Sequence, residues 1–367
     1  MFCQMSMLRD LVDAFRSQAQ SARSSSGAHR HHSRPGQHRQ HRPREDDEAS
    51  RRREALRRTA DETQDVLPGL LTHLNRTSEA RHSEKLSFNS LRALHPDDCP
   101  QFPTPATIRV TNDDTLNAAV RLAHSHSASH TNPRPIIINF ASHKKPGGGW
   151  LNGAMAQEES ICYRSSLGLS LHRRDYPLNL EDAIYSPFVL VMRGDLATGH
   201  HLLASPTNPP ENLPVVSAIT VAALYRPALR TLVLSQPNPP RPRGSLSHGH
   251  ASRLHRGSSS PSASPAPSRP QRQHVFARDK DRNLTKAKMR LALRIAATNG
   301  HGMLVLGALG CGVYANPPGE VANCWLEVLR EAEFRGNWWR EVCFAVYDPK
   351  NEGNFAIFEK VLAGKKV

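Results

Sequence analysis

Two adjacent glutamates follow three consecutive glycines near the middle of this 367-residue sequence. The glycines occupy residues 147–149, and after seven further residues come Gln157, Glu158 and Glu159. Glycine tolerates positive φ and lets a ligand approach the backbone, so the run can wrap a sugar or a phosphate. A carboxyl group in such a cleft is partly desolvated, which raises its pKa until it can act as a general acid. Two plainer interpretations stay open: a simple turn, and acids that favour the first turn of a helix.

A second glycine-rich segment occupies residues 306–318. Its three glycines can direct several backbone N–H groups at one anion, as phosphate-binding loops do. The segment does not match the dinucleotide fingerprint G-x-G-x-x-G, and it lacks the Lys-Ser/Thr of a P-loop. Within it, Cys311 is interpreted as a small packing residue rather than a nucleophile. Together, the two loops predict a cleft for a phosphorylated sugar with an acid beside it.

Both segments follow short apolar runs that are typical of strands buried on both faces. Strands are predicted at residues 106–110, 135–140, 188–192, 215–221, 231–235, 303–306 and 342–347. Helices are predicted near residues 156–171, 284–299 and 318–333. Asp113 or Asp114 either caps a further helix or contacts the bound ligand. Strands that alternate with helices indicate an α/β fold, in which a mostly parallel sheet is covered by helices on both faces.

The formal net charge of +15 suggests a polyanionic partner, but the charge is unevenly distributed. Residues 1–60 contain 13 Lys and Arg against 7 Asp and Glu, and residues 238–283 contain 9 against 2. Both segments are poor in apolar residues, so they cannot bury enough surface to offset the entropy of ordering. We therefore predict a disordered tail over residues 1–47 and a folded domain over residues 48–367. A disordered Pro/Ser/Arg-rich insertion is predicted to interrupt that domain at residues 237–283.

The six cysteines are scattered and form no C-x-x-C pair, which argues for a reducing compartment and against a disulfide or zinc framework. No apolar run approaches the roughly 20 residues of a membrane-spanning helix, and no signal-like apolar core is present near the first residue. We expect an intracellular protein, in the cytoplasm, the nucleus or both, with no metal and no cofactor. The run Arg51–Arg53, with Arg57 and Arg58, is either a nuclear import signal or a solvated helix face.

The sequence resembles the poly(ADP-ribose) glycohydrolases, whose signature is a triple glycine followed shortly by Gln-Glu-Glu. Four segments are similar in sequence to the microbial type found in bacteria and fungi: NFAS…PGGGWLNGAMAQEE (residues 139–159), EDAIYSP (181–187), VSAITVAA (216–223) and LGALGCGVYANPP (306–318). The resemblance covers roughly residues 50–236 and 284–367. It implies a macrodomain-like, three-layer α/β/α fold with a mostly parallel mixed sheet. It also implies hydrolysis of the ribose–ribose O-glycosidic bonds of poly(ADP-ribose), with release of ADP-ribose.

The resemblance also implies roles for individual residues. Glu159 matches the catalytic glutamate, which protonates the leaving ribose oxygen and then activates water, and Glu158 matches its neighbour, which holds ribose hydroxyls. The triple glycine would wrap the distal ribose and a phosphate, and residues 310–314 would cradle the pyrophosphate. The implied substrate-binding residues are Gly147, Gly148, Gly149, Gln157, Gly310, Cys311, Gly312, Val313 and Tyr314.

Two positions depart from the family pattern: Leu309 stands where Trp is usual, and Tyr314 where Phe is often found. Two other functions stay compatible with the sequence: an ADP-ribosyl hydrolase that acts on mono-ADP-ribosylated protein, and a non-catalytic ADP-ribose-binding macrodomain. The intact Gln-Glu-Glu argues against a pure binding module. The expected partners are poly(ADP-ribose) or ADP-ribosylated proteins, with no membrane and no required nucleic acid, and the protein is expected to be a monomer. The basic segments are expected to concentrate the polyanionic polymer near the cleft.

Overall fold

The computed structural model describes residues 43–126, 134–234 and 271–367. Its strands are β1 (Glu84–Ser87), β2 (Ile108–Thr111), β3 (Ile136–Phe140), β4 (Asp182–Leu190), β5 (Val215–Val221), β6 (Leu229–Leu234), β7 (Gln271–Phe276), β8 (Met303–Leu306) and β9 (Glu341–Ala345). Its helices are α1 (Pro43–His73), α2 (Thr77–Arg81), α3 (Thr115–Ser125), α4 (Gln157–Arg164), α5 (Leu167–Ser170), α6 (Asp279–Thr298), α7 (Pro318–Leu329) and α8 (Asn354–Leu362). Among the residues that the structure describes, no helix is both long enough and apolar enough to cross a membrane.

Seven strands form one sheet in the order β1-β4-β5-β3-β8-β9-β2. The five strands from β5 to β2 run parallel, and β4 and β1 join the β5 edge in antiparallel pairs. The carboxyl ends of the parallel strands therefore meet at one edge of the sheet, where α/β folds place their ligands. Both glycine-rich segments leave from that edge, one after β3 and the other after β8.

Helices cover both faces of the sheet, and the central strand shows why. Ile136 and Ile138 of β3 pack into a core with residues of α6, α7 and α8. Ile137 points to the opposite face and packs with residues of α1, α3 and α4. Because successive side chains of a strand alternate between faces, an unbroken apolar run is stable only between two apolar layers. The predicted α/β fold with a mostly parallel mixed sheet is confirmed.

Strand β4 is longer than the strand predicted at 188–192. The prediction missed its first half because those residues do not form an unbroken apolar run. It begins at Asp182 and pairs with β1 on one side and β5 on the other. Its register against β5 shifts between Ser186 and Val189, around Pro187. Proline lacks the N–H that a regular ladder needs, so an irregularity at this point lets a central strand contain it.

The boundaries predicted for the two disordered segments differ from those in the structure. Within the predicted insertion at 237–283, residues 271–276 form β7, which pairs antiparallel with β6, and α6 begins at Asp279. The buried Val275 and Phe276 attach β7 to the core. The sequence did not predict this strand because its two apolar residues stand among basic and polar residues. Helix α1 begins at Pro43, inside the predicted tail at 1–47. The rest of both segments, residues 1–42 and 235–270, lies outside the described residues.

Candidate active site

The glycine run adopts a backbone conformation that is unfavourable for residues with a Cβ. Gly147 and Gly148 have φ of +66° and +59°, in the left-handed region that favours glycine. A Cβ at Gly148 would overlap Oε1 of Glu159 and lie 3.0 Å from Oε2 of Glu158. The loop after β3 therefore folds back over the first turn of α4. The predicted return of the glycines and the glutamates to one place is observed.

The Glu159 carboxylate is held by the glycine loop itself. The backbone N–H of Gly149 donates a hydrogen bond to Oε1 of Glu159 over 2.9 Å. The side chain lies in the first turn of α4 and only 8% of the residue is exposed. A backbone N–H that points at a carboxylate fixes its orientation toward whatever occupies the cleft.

Glu158 is more deeply buried than its neighbour, with 2% of the residue exposed. The backbone N–H of Ser142 donates to its Oε2 over 2.7 Å, and Nδ2 of Asn139 donates to its Oε1 over 3.3 Å. Burial raises the pKa of Glu158 to about 8, and the nearby charge of Glu159 acts in the same direction. The neutral form of Glu158 is therefore favoured near pH 7, and its hydroxyl can donate a hydrogen bond.

The side chain of Gln157 forms hydrogen bonds to protein groups on two other elements. Its Oε1 accepts the backbone N–H of Phe140 over 2.7 Å. Its Nε2 donates to the carbonyl oxygen of Ile138 over 2.7 Å and to Oγ1 of Thr115 over 3.1 Å. Both amide hydrogens thus have protein partners, so Gln157 ties the start of α4 to the end of β3. This positioning role differs from the substrate-binding role implied by resemblance, and sequence spacing carried no signal for it.

The second glycine segment also contains a position where only glycine fits. Gly310 has φ of +74°, and a Cβ there would lie 2.5 Å from the Cβ of Ala223. Gly312 faces open space, and 67% of Val313 is exposed. Cys311 packs against the apolar core, and burial raises the pKa of its thiol, so the packing interpretation fits this environment. The segment therefore presents an open, glycine-rich surface beside the first loop.

Tyr314 connects the two loops across the cleft. The backbone N–H of His143 donates to the Tyr314 hydroxyl over 3.2 Å, and Nδ1 of His143 lies 3.1 Å from the same oxygen. The exposed ring of Tyr225, from the loop after β5, packs edge-on against Tyr314 with ring centroids 5.2 Å apart. Sequence reasoning found Tyr314 but missed both of its partners, because they lie in other loops of the sheet edge.

The two aspartates before α3 are engaged within the protein. Asp114 caps the helix by accepting the N–H groups of Leu116 and Asn117, and its carboxylate also pairs with Arg164. Asp113 pairs with Arg121. The helix-cap interpretation is confirmed for Asp114.

Comparisons with known proteins point to one family. Residues 72–194 match the family described as microbial-type PARG, catalytic domain. The chain is 26% identical to the poly(ADP-ribose) glycohydrolase from Thermomonospora curvata, with a TM-score of 0.57 over 84% of this chain and 99% of that chain. The same bacterial protein bound to the inhibitor ADP-HPD matches at 26% identity and a TM-score of 0.55, with the same coverage. The poly(ADP-ribose) glycohydrolase from Deinococcus radiodurans in complex with ADP-ribose matches at 26% identity and a TM-score of 0.52, over 78% of this chain and 96% of that chain. No curated protein matches this chain.

Proposed function

We propose that this chain is a poly(ADP-ribose) glycohydrolase of the microbial type, and that Glu159 is the general acid and base of its reaction. The enzyme hydrolyses the ribose–ribose O-glycosidic bonds of poly(ADP-ribose) and releases ADP-ribose. The observation that carries the assignment is the hydrogen bond from the N–H of Gly149 to Glu159, where both glutamates lie against the glycine loop.

In the proposed reaction, the protonated carboxyl of Glu159 gives its proton to the ribose oxygen of the leaving chain as the glycosidic bond breaks. The Glu159 carboxylate then takes a proton from water, and the hydroxide attacks the oxocarbenium-like carbon of the terminal ribose. These two steps return Glu159 to its protonated form. The bound diphosphate is a nearby anion that stabilises the developing positive charge.

The surrounding groups bind and orient the terminal ADP-ribose in this proposal. Neutral Glu158 donates its hydroxyl proton to a ribose hydroxyl, which its raised pKa favours near pH 7. The left-handed turn at Gly147–Gly149 leaves room for the distal ribose and a phosphate. Residues 310–314 provide the surface for the pyrophosphate, with open space at Gly312 and the Tyr314 ring near the terminal ribose.

The test is the Glu159→Gln variant, which keeps the shape of the side chain and removes its acid–base chemistry. We expect release of ADP-ribose from purified polymer to fall by about 10²- to 10⁴-fold, the range for loss of a general acid–base group. Affinity for free ADP-ribose, measured by calorimetry, should stay within a few-fold of the wild type. Glu359→Gln, at an exposed position of α8, is the matched control and should retain full activity.

A wild-type chain that releases ADP-ribose only from mono-modified protein would contradict the polymer assignment. Undiminished activity of Glu159→Gln would contradict the role given to that residue. We also expect the protein to act as a monomer in the cytoplasm or nucleus, without nucleic acid. Light scattering would test the oligomeric state, fractionation of cells that express the protein would test its location, and activity of nuclease-treated protein would test the independence from nucleic acid.

A further inference from the structure

Helix α1 lies directly against the loop that carries the three glycines. Gly153, near the end of that loop, has φ of +74°. A Cβ at Gly153 would overlap the carbonyl oxygen of Arg53 in α1 and lie 2.6 Å from its Cγ. Leu56 and Ala60, one and two turns further along α1, are buried in the same core as Trp150 of the loop. The helix is therefore a fixed wall of the loop rather than a free appendage.

Only a short stretch of backbone separates the Glu159 carboxylate from this wall. Oε1 of Glu159 accepts the N–H of Gly149, and the carbonyl oxygen of Gly149 accepts the N–H of Ala154 over 3.2 Å. Ala154 is bonded to Gly153, which touches Arg53. In the proposed reaction Glu159 protonates the oxygen of the leaving chain, so that chain departs on the Glu159 side of the cleft. The leaving units therefore pass close to α1.

Exposed cations lie in α1, beside the end of the loop, and at the start of the loop itself. Arg53 and Arg57 are exposed and one helical turn apart, next to the buried Leu56. Arg57 approaches Glu54 at 3.6 Å, an exposed contact that contributes little. Among the described residues Arg53 has no carboxylate partner within 4.0 Å, and the same holds for the exposed Lys144 and Lys145 at the start of the loop. We call these four side chains the basic rim.

We propose that the basic rim binds the phosphates of the polymer units on the leaving side of the scissile bond, an inference that rests on the proposed function. Each of those units carries two phosphates, so the leaving chain is a polyanion of regular charge. The guanidinium groups of Arg53 and Arg57 match phosphate oxygens in pairs, and the lysines act as point charges. Free ADP-ribose fills only the cleft and does not reach the rim. The rim thus favours polymer over its product.

The test neutralises the two arginines with Arg53→Gln and Arg57→Gln, which keep most of the aliphatic stem that faces Gly153. The matched control is Lys360→Gln with Lys365→Gln, two exposed cations at the end of the chain, where α8 packs against α7 and β2. For each protein, kcat/KM on long polymer is measured between about 50 and about 200 mM salt. Two lost phosphate contacts should make the fall across this range about seven-fold smaller than in the wild type. The control pair should keep the wild-type salt dependence.

Two further readouts separate recognition of the chain from a structural role of α1. Affinity for free ADP-ribose and the melting temperature should match the wild type in the arginine variant, and a change in either would overturn the proposal. An unchanged salt dependence in an active enzyme would overturn it as well. A wild type that cleaves no polymer would refute the proposed function instead. In that case the same variants are compared in direct binding of labelled polymer, where equal affinity of variant and wild type refutes the rim.

Discussion

At Gly148 the cleft has no room for a side chain, because a Cβ would overlap the Glu159 carboxylate. We predict that Gly148→Ala destabilises the fold by at least about 1–2 kcal/mol, the cost of a left-handed backbone for a residue with a Cβ. Displacement of Glu159 should also lower kcat/KM on polymer by about 10²-fold. Urea unfolding and ADP-ribose release measure the two effects.

A second glycine serves as the control. Gly69 lies within α1, and a Cβ there would meet no atom within 4 Å. Gly69→Ala should therefore stabilise the protein by about 0.5–1 kcal/mol, because alanine loses less backbone entropy in a helix. Equal destabilisation by both substitutions would show that the clash at Gly148 is not the cause.

Glu158 makes the stability of the fold depend on pH. Its pKa is about 8 in the folded protein, whereas a glutamate of the unfolded chain titrates near about 4.3. Between these values the folded form binds the proton more tightly, so the contribution of this group to stability is lost as the pH rises from about 5 to about 8. Glu158→Gln removes the titration. We predict a smaller loss of stability over this range, by up to about 1.4 kcal/mol per pH unit, in urea unfolding at several pH values. Parallel curves for variant and wild type would contradict the prediction.

The meeting of the glycines with Glu158 and Glu159 was predictable from spacing, because the loop after a buried strand and the helix that follows it are close in the chain. The role of Gln157 was not, because its three partners are backbone and hydroxyl groups on two other elements. An amide side chain next to two acids gives no sign of whether it faces ligand or protein.

Between elements, the hydrogen bonds between His143 and the Tyr314 hydroxyl join the two loops. A hydrogen bond contributes about 0.5–1.5 kcal/mol, so we predict that Tyr314→Phe weakens ADP-ribose binding about 2- to 12-fold. Calorimetry measures the affinity. His143→Ala removes only the Nδ1 contact and leaves the backbone hydrogen bond, so its loss should be no larger than that of Tyr314→Phe. The double variant should bind ADP-ribose no more weakly than Tyr314→Phe alone. Fully additive losses would show that the two residues act separately.

Other element-level features exceeded what the sequence could predict. The contact between Arg53 and Gly153 joins residues far apart in the chain, and an arginine run on a helix is usually only a solvated face. Strand β7 is a short run among basic and polar residues, and its pairing with β6 depends on a partner beyond the low-complexity stretch. Long-range pairing of this kind leaves no periodic signal in either segment.

For the whole molecule, the pairing of Leu234 with Gln271 brings the two ends of residues 235–270 together. This stretch contains five arginines and no Asp or Glu. We predict that its replacement by a two-residue turn preserves ADP-ribose affinity and weakens polymer binding at low salt, because attraction to the polyanion is reduced. Filter binding of labelled polymer at two salt concentrations tests this. Equal polymer affinity before and after the deletion would mean that the stretch does not attract the polymer.

The packing of α1 against the glycine loop limits how the protein can be shortened. The match to the family begins at residue 72, whereas α1 begins at Pro43. A chain trimmed to start at residue 72 would lose Leu56 and Ala60 from the core, together with the part of α1 that lies against Gly153. For expression, crystallisation or inhibitor screening, a shortened chain should therefore keep all of α1 from Pro43 onward and should not begin at residue 72.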